Sequence, residues 1–302
     1  MDIALTNVHL DLGAGRRGTD MGPSALHVAG LVPALRRLGH RIADIESLGG
    51  PSFEAGDVGA PSARFLAEIA AMVAQLAERT ERNVEQGLLP LVLGGDHSVA
   101  IGTISGMVRA MRRRQQRLGV VWVDAHTDMN TPSSSPSGNV HGMPLACLLG
   151  EGPEALTTAL VGPEPALRAE DVVIIGVRDV DAVESEIVRR TGVRVYTMSE
   201  LDARGTPICL REAIARVTAH TAGVHLSFDL DGVDPMHAPG VGTPIPGGLS
   251  LRESHLICEW LSQTRKLVGV ELVELNPTAD VRNQTAELGR WLIESALGKR
   301  IL

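Results

Sequence analysis

Three stretches of this chain place aspartate and histidine at intervals suited to holding cations. Asp124-Ala125-His126-Thr127-Asp128 follows the apolar run at 120–123, Asp229-Leu230-Asp231 follows a second apolar run, and His97 follows Gly94-Gly95-Asp96. Asp124, Asp128, Asp229 and Asp231 bring four negative charges, and His97 and His126 bring two neutral imidazoles. Clustered without a counter-charge, four carboxylates would repel strongly, whereas two divalent cations would balance them. An oxygen-rich set with two imidazoles and no thiolate suits manganese better than zinc. A water shared by two such cations loses a proton near neutral pH and becomes a nucleophile.

Spacing adds a constraint. In a straight strand Asp124 and Asp128 would lie roughly 13 Å apart, at about 3.3 Å per residue. Paired hydrolytic metals lie only about 3.5–4 Å apart. If all three residues of the first stretch bind, the chain must curl as it leaves its strand, and the small Ala125 and Thr127 permit this. Each stretch also has a plainer reading: a strand-end turn with capping carboxylates for DxHxD, an ordinary acidic loop for DxD, and a helix-start residue for His97. Recurrence at three separate strand ends favours the metal reading.

The elements that must position these residues alternate between strand-like and helix-like patterns. Strands are expected at 3–10, 40–45, 88–93, around 120–123, and at 171–177, 193–196, 224–230 and 267–275. Helices are expected at 24–38, 62–86, from 97 to about 116, and at 143–149, 184–190, 207–219, 250–262 and 284–297. Ser250 and Glu253 form a candidate capping box. Continuous apolar strands separated by helices predict a parallel sheet covered on both faces. The polar clusters all follow strands, which places them at the carboxyl edge where open α/β folds build their sites. No composition break divides the chain, so a single domain spanning 1–302 is expected.

Composition excludes several functions. The chain has 302 residues, 44% hydrophobic, but aromatics are only 2%, so the core is aliphatic and a stacking site for bases is not expected. A net charge of −8, with Arg112-Arg113-Arg114 as the longest basic run, argues against nucleic acid and anionic membranes as partners. Cys147, Cys209 and Cys258 are widely spaced and odd in number, which predicts neither a disulfide framework nor a thiolate metal site and fits a reducing cytoplasm. The start, MDIALTNVHL, lacks the basic and apolar regions of a signal peptide. No apolar run is long enough to span a membrane. LGGDHS lacks the GxGxxG spacing of a dinucleotide fingerprint.

LGGDHS (93–98), VDAHTDMNTP (123–132), SGNVHGMP (137–144) and SFDLDGVDP (227–235) closely resemble motifs of the arginase/agmatinase family of ureohydrolases. The resemblance runs from Arg17-Gly18 and Gly22-Pro23 to Glu274-Leu275-Asn276-Pro277. It implies a three-layer α/β sandwich with an eight-stranded parallel sheet and two Mn²⁺ per subunit. By matching motifs, His97, Asp124, His126, Asp128, Asp229 and Asp231 are the implied ligands, with Asp124 and Asp229 bridging. The implied reaction is hydrolysis of a guanidinium to urea by a metal-bridging hydroxide. Asp128 would orient that hydroxide and pass on its proton, His141 would shuttle protons, and Glu274 would pair with the guanidinium in a pocket lined by Thr243.

The chain resembles arginases in particular where the α-substituents of arginine would sit. Asn130, Ser137 and Asn139 match residues that bond the α-carboxylate, and Asp181 and Glu184 match acids facing the α-amino group. Simpler roles coexist with these: turn formation for the first three, an N-cap for Asp181 and a first-turn charge for Glu184. The expected products are L-ornithine and urea. Agmatine or another guanidino compound is the alternative substrate, and a catalytically silent metal-binding regulator is the alternative of a different kind. Glu271 stands where many relatives carry Asp, and the extra methylene bears on contacts behind the ligands. His225 is expected to be structural and His237 to face solvent. A homo-oligomer, trimeric or hexameric, is also implied.

Overall fold

The structure, a computed structural model, describes residues 1–300. Eight strands are present: β1 (Asp2–His9), β2 (Arg41–Gly49), β3 (Leu89–Leu93), β4 (Leu118–Val123), β5 (Val172–Val177), β6 (Arg194–Thr197), β7 (Gly223–Asp229) and β8 (Leu267–Val273). They form one sheet in the order β2-β1-β3-β8-β7-β4-β5-β6, and every pairing is parallel. The helices are α1 (Gly22–Val28), α2 (Leu31–Arg37), α3 (Leu66–Glu85), α4 (Val99–Arg112), α5 (Pro144–Leu148), α6 (Thr158–Val161), α7 (Ala182–Thr191), α8 (Met198–Arg204), α9 (Thr206–Thr218), α10 (Leu251–Gln263) and α11 (Gln284–Ala296).

Period-two alternation in the central strands builds two cores from one sheet. Val224, Leu226 and Phe228 of β7 join Val121 and Val123 of β4 and Val270 and Leu272 of β8 on one face, against α1, α2 and α8–α11. The opposite face carries Val120 and Trp122 and is covered by α3–α7. The result is the expected three-layer sandwich with an eight-stranded parallel sheet. On the second face α4 packs against both the sheet and α3 and is almost entirely buried. That nesting requires a bare backbone at Gly106, where a Cβ would stand 2.3 Å from the Ala77 carbonyl oxygen.

Several elements differ from the sequence expectation, three of them for a clear local reason. The single helix expected over 24–38 is two helices, because Gly30 adopts φ 83° between them. The second strand runs on to Gly49; it lies at the sheet edge and is half-exposed on alternate residues, so it lacks a buried apolar run. Helix α8 was not expected, although Thr197 caps it by accepting from the Glu200 N–H. The capping box of Ser250 and Glu253 is formed as expected. Among the described residues no helix is long and apolar enough to cross a membrane.

Candidate active site

The parallel strands deliver their polar ends to one edge near the centre of the sheet, where β3, β8, β7 and β4 lie side by side. At the end of β4 the chain curls as the spacing required: Asp128 takes φ 53°, the left-handed region. Its carbonyl accepts from the N–H groups of Leu145 (3.1 Å) and Ala146 (3.2 Å) in α5, which holds the turn. Beyond β7 a 3₁₀ turn at Leu230–Gly232 returns Asp231 toward Asp229, whose Oδ1 accepts the Asp231 N–H at 2.7 Å. β8 stops at Val273, two residues before the expected end, because Glu274 also enters the left-handed region (φ 63°) and donates its N–H to the Gly95 carbonyl at 2.8 Å.

These turns assemble two ligand groups. His97 Nδ1 lies 3.1 Å from Asp124 Oδ2, 3.1 Å from Asp128 Oδ2 and 3.2 Å from Asp229 Oδ2. His126 Nδ1 lies 3.3 Å from Asp124 Oδ1 and 3.1 Å from Asp231 Oδ2. His97, Asp124 and Asp229 could hold one cation, and Asp124, His126 and Asp231 a second. Asp124 belongs to both, one oxygen toward each. Asp229 contributes Oδ2 to the first group, and its Oδ1 accepts the Asp231 N–H. Asp128 approaches the first through His97.

The donor set fits two divalent cations on this structure's own chemistry. His97 Nδ1 and Asp128 Oδ2 are buried and have no hydrogen-bond partner, although both belong to strongly polar groups. Burial and the neighbouring Asp124 push the Asp128 carboxyl up to about 7. Burial and the charges of Asp231 and Asp124 raise Asp229 well above the carboxylate range. The carboxylate cluster draws the His97 imidazole in the opposite sense to its burial, raising it well above its ordinary value. Asp128 and Asp229, which resist ionisation, beside imidazoles that retain protons mark a cradle short of positive charge.

This predicts how the protein responds to chelation. Asp128 titrates higher folded than unfolded, so the metal-free fold loses stability as pH rises from about 4 toward about 7. His141 is raised to about 9, so its contribution is complete below about 6.5 and lost as pH rises through about 9. The melting temperature of chelator-treated protein should therefore fall between pH 5 and 9, and manganese should flatten the slope. Melts recorded across that range with and without manganese check it.

Above the ligands lies a cavity of about 390 Å³. Every residue predicted for the site lines it except Asp124 and Glu274, which contact the lining residue His97. Glu274 is buried, and its Oε1 accepts from the His97 N–H and meets His141 Nδ1, each at 2.9 Å. Its Oε2 has no partner. Despite burial, the His141 cation holds the Glu274 carboxyl below its ordinary range, and Glu274 pushes His141 up to about 9 against the penalty of its own burial. Thr243 donates to Asp231 Oδ2 at 2.8 Å, tying the 242–244 turn to the second ligand group.

The outer wall shows the structural roles expected of these residues. Asp181 caps α7 through Oδ1, which accepts from Val183 N (3.0 Å) and Glu184 N (2.9 Å), and turns Oδ2 to Asn130 Nδ2 at 3.0 Å. Glu184 Oε1 accepts from Thr127 Oγ1 (2.6 Å) and Met129 N (2.9 Å), clamping α7 to the curled loop. Asn139 donates to the Ala14 carbonyl at 3.2 Å, and Ser137 Oγ accepts the Asn139 N–H at 3.2 Å. His225 is wholly buried, and His237 is outside this cavity.

Sequence reasoning missed two residues. Asp179 lines the cavity with its carboxylate 4.0 Å from His126 Nε2. Arg178 donates to the carbonyls of Asp231 (2.7 Å), Gly232 (3.1 Å) and Ile245 (2.7 Å), fixing the turn that carries Asp231. A lone cation directly after a strand, amid an acidic edge, was the signal for Arg178.

The family model for the "Arginase family" matches residues 1–298. An arginase of Bacillus caldovelox is 46% identical over 304 residues, covering 99% of this chain and 99% of that protein. An arginase of Brevibacillus brevis is 44% identical, covering 100% of this chain and 99% of the relative. The solved arginase structure from Bacillus caldovelox superposes with a TM-score of 0.92 at 45% identity, over 100% of this chain and 99% of that one. With fold, ligand geometry and near-complete coverage in agreement, the chain belongs to the arginase family.

Proposed function

We propose that this chain hydrolyses L-arginine to L-ornithine and urea at a centre of two manganese ions. The observation that carries the proposal is the arrangement of the cavity: two ligand groups sharing Asp124 at its floor, and Asn130, Ser137, Asn139, Asp181 and Glu184 along its wall. A guanidinium at the floor would leave its amino-acid end among the wall residues. The names of the similar proteins support the same reading.

Two divalent cations in this cradle would supply Lewis acidity and lower the pKa of a shared water toward neutrality. The remaining work falls to the chain. Glu274 presents its unpartnered Oε2 as the acceptor for the cationic guanidinium. Asp128 Oδ2, also unpartnered, accepts the proton released as water adds to the guanidinium carbon. That proton passes to the ε-nitrogen of arginine as its bond to the guanidinium carbon breaks, leaving urea and the δ-amine of ornithine. His141, anchored through Nδ1 to Glu274, exchanges protons between the cavity and solvent. The Asp181 carboxylate and the Asn130 amide, already bonded to each other, recognise the α-amino and α-carboxylate groups.

A homo-oligomer, trimeric or hexameric, in the cytoplasm completes the proposal; three free, buried cysteines are compatible with a reducing compartment.

The test is kcat/KM for L-arginine and agmatine, which lacks the α-carboxylate, in wild type and Asn130→Ala. Wild type should prefer arginine strongly. The substitution should lower kcat/KM for arginine by about 10–100-fold, the scale of about 1.5–3 kcal/mol for a hydrogen bond to a charged group, and leave agmatine far less affected. Preference for agmatine in the wild type, or equal losses on both substrates, would contradict the assignment.

A further inference from the structure

Behind the ligands, on the α4 side of the sheet, a polar column runs through an apolar layer. His225 and Ser227 of β7 share a face with Asp229, and Glu271 of β8 is the direct cross-strand neighbour of Ser227. His225 and Glu271 are both 0% exposed. His225 Nε2 approaches Glu271 Oε1 at 3.3 Å. Ser227 Oγ lies 2.8 Å from His97 Nε2, and the His97 ring stacks on Trp122 with centroids 4.1 Å apart. The layer leaves no slack: a Cβ at Gly269 would stand 2.8 Å from His225 Nδ1 and 2.7 Å from Met107 Cε.

Burying an ionisable pair in such a layer is costly compared with apolar residues of the same volume, so its presence calls for a role. Hydrogen-bond direction supplies one. A serine hydroxyl can donate to an imidazole nitrogen or accept from it. If Ser227 donated to His97 Nε2, a neutral His97 would carry its proton on Nδ1, the atom aimed at Asp124, Asp128 and Asp229, and could not ligate there. A carboxylate only accepts. If Glu271, whose two oxygens are both unpartnered, takes the Ser227 proton, Ser227 Oγ accepts from Nε2–H, which leaves the Nδ1 lone pair for a cation. The facing His225 imidazole holds the Glu271 carboxyl below its ordinary range despite complete burial, and neither Glu271 oxygen has a hydrogen-bond partner in this structure, so both are free to accept.

We propose that Glu271, anchored by His225, is a positioning residue that orients the Ser227 hydroxyl and thereby fixes the His97 tautomer that binds the first cation. The proposal rests on the metal-centre reading above.

Two substitutions separate hydrogen-bond direction from packing. Glu271→Gln keeps the volume but replaces one of the two acceptor oxygens behind Ser227 with an N–H donor. Glu271→Asp shortens the side chain by one methylene but keeps an acceptor-only group opposite Ser227. Manganese binding is followed by calorimetric titration of the folded, metal-stripped proteins, with melting curves recorded on each. Wild type should bind two ions. Glu271→Gln should lose about 10–100-fold in affinity at one site, the usual cost of removing a partner behind a ligand, and keep the other. Glu271→Asp should bind the first ion more tightly than Glu271→Gln does. Unchanged affinities in Glu271→Gln, or a larger loss in Glu271→Asp, would overturn the relay while leaving the metal centre intact. Absence of binding by the wild type would overturn the metal reading and the relay together. If Glu271→Gln fails to fold, Ser227→Ala carries the same expectation of a loss confined to one site, and unchanged binding there would overturn the relay.

Discussion

Replacing Asp124 with alanine should abolish urea release and strip both metals, because this residue belongs to both ligand groups. Its Oδ2 faces His97 and accepts from Trp122 Nε1 at 2.9 Å, while its Oδ1 faces His126 and accepts the His126 N–H at 2.7 Å. Removing one partner from a buried charged cluster costs about 3–5 kcal/mol. If that cost falls on the metal centre, it corresponds to roughly a thousand-fold loss, since each 1.4 kcal/mol is about tenfold. Elemental analysis alongside the urea assay checks it. His126→Ala serves as the comparison, because it breaks only the second group and should leave one ion bound. Retention of two ions by Asp124→Ala would refute the shared-ligand geometry.

His141→Asn should have the second largest effect, and of a different kind. Turnover should fall by about 10²–10⁴-fold, the range of a lost general acid–base group, while both metals stay bound. His141 touches Glu274 and belongs to neither ligand group. Glu274 raises His141 to about 9, so its protonated form persists at neutral pH, and the wild-type rate should lose a limb as pH rises through that value. The asparagine variant should lack that limb. Loss of manganese from the variant would instead make His141 a ligand.

Much of this was legible in the sequence because parallel strands are buried on both faces and therefore read as uninterrupted apolar runs. The ends of those runs located the site, and the requirement that DAHTD curl is met by the left-handed Asp128. The edge strand β2 was read short because only alternate residues are covered. The break at Gly30 and the stop at Glu274 depend on single backbone angles that residue patterns do not report. Long-range partners were also hidden. Nothing local to Arg178 announces that it will bind the carbonyl of Asp231, or that His225 will meet Glu271 across β7 and β8. The resemblance of the motifs supplied the substrate class; geometry then divided Asp181 and Glu184 between capping and clamping contacts and the cavity wall.

The most direct test is urea and ornithine release from L-arginine as manganese is added back to metal-stripped protein, with bound metal measured at each point. Equimolar urea and ornithine, rising to a plateau at two manganese ions per chain, is the predicted result. A chain holding two ions that releases no urea from arginine would contradict the proposed function, and full activity without bound metal would contradict the reading of the ligand cluster.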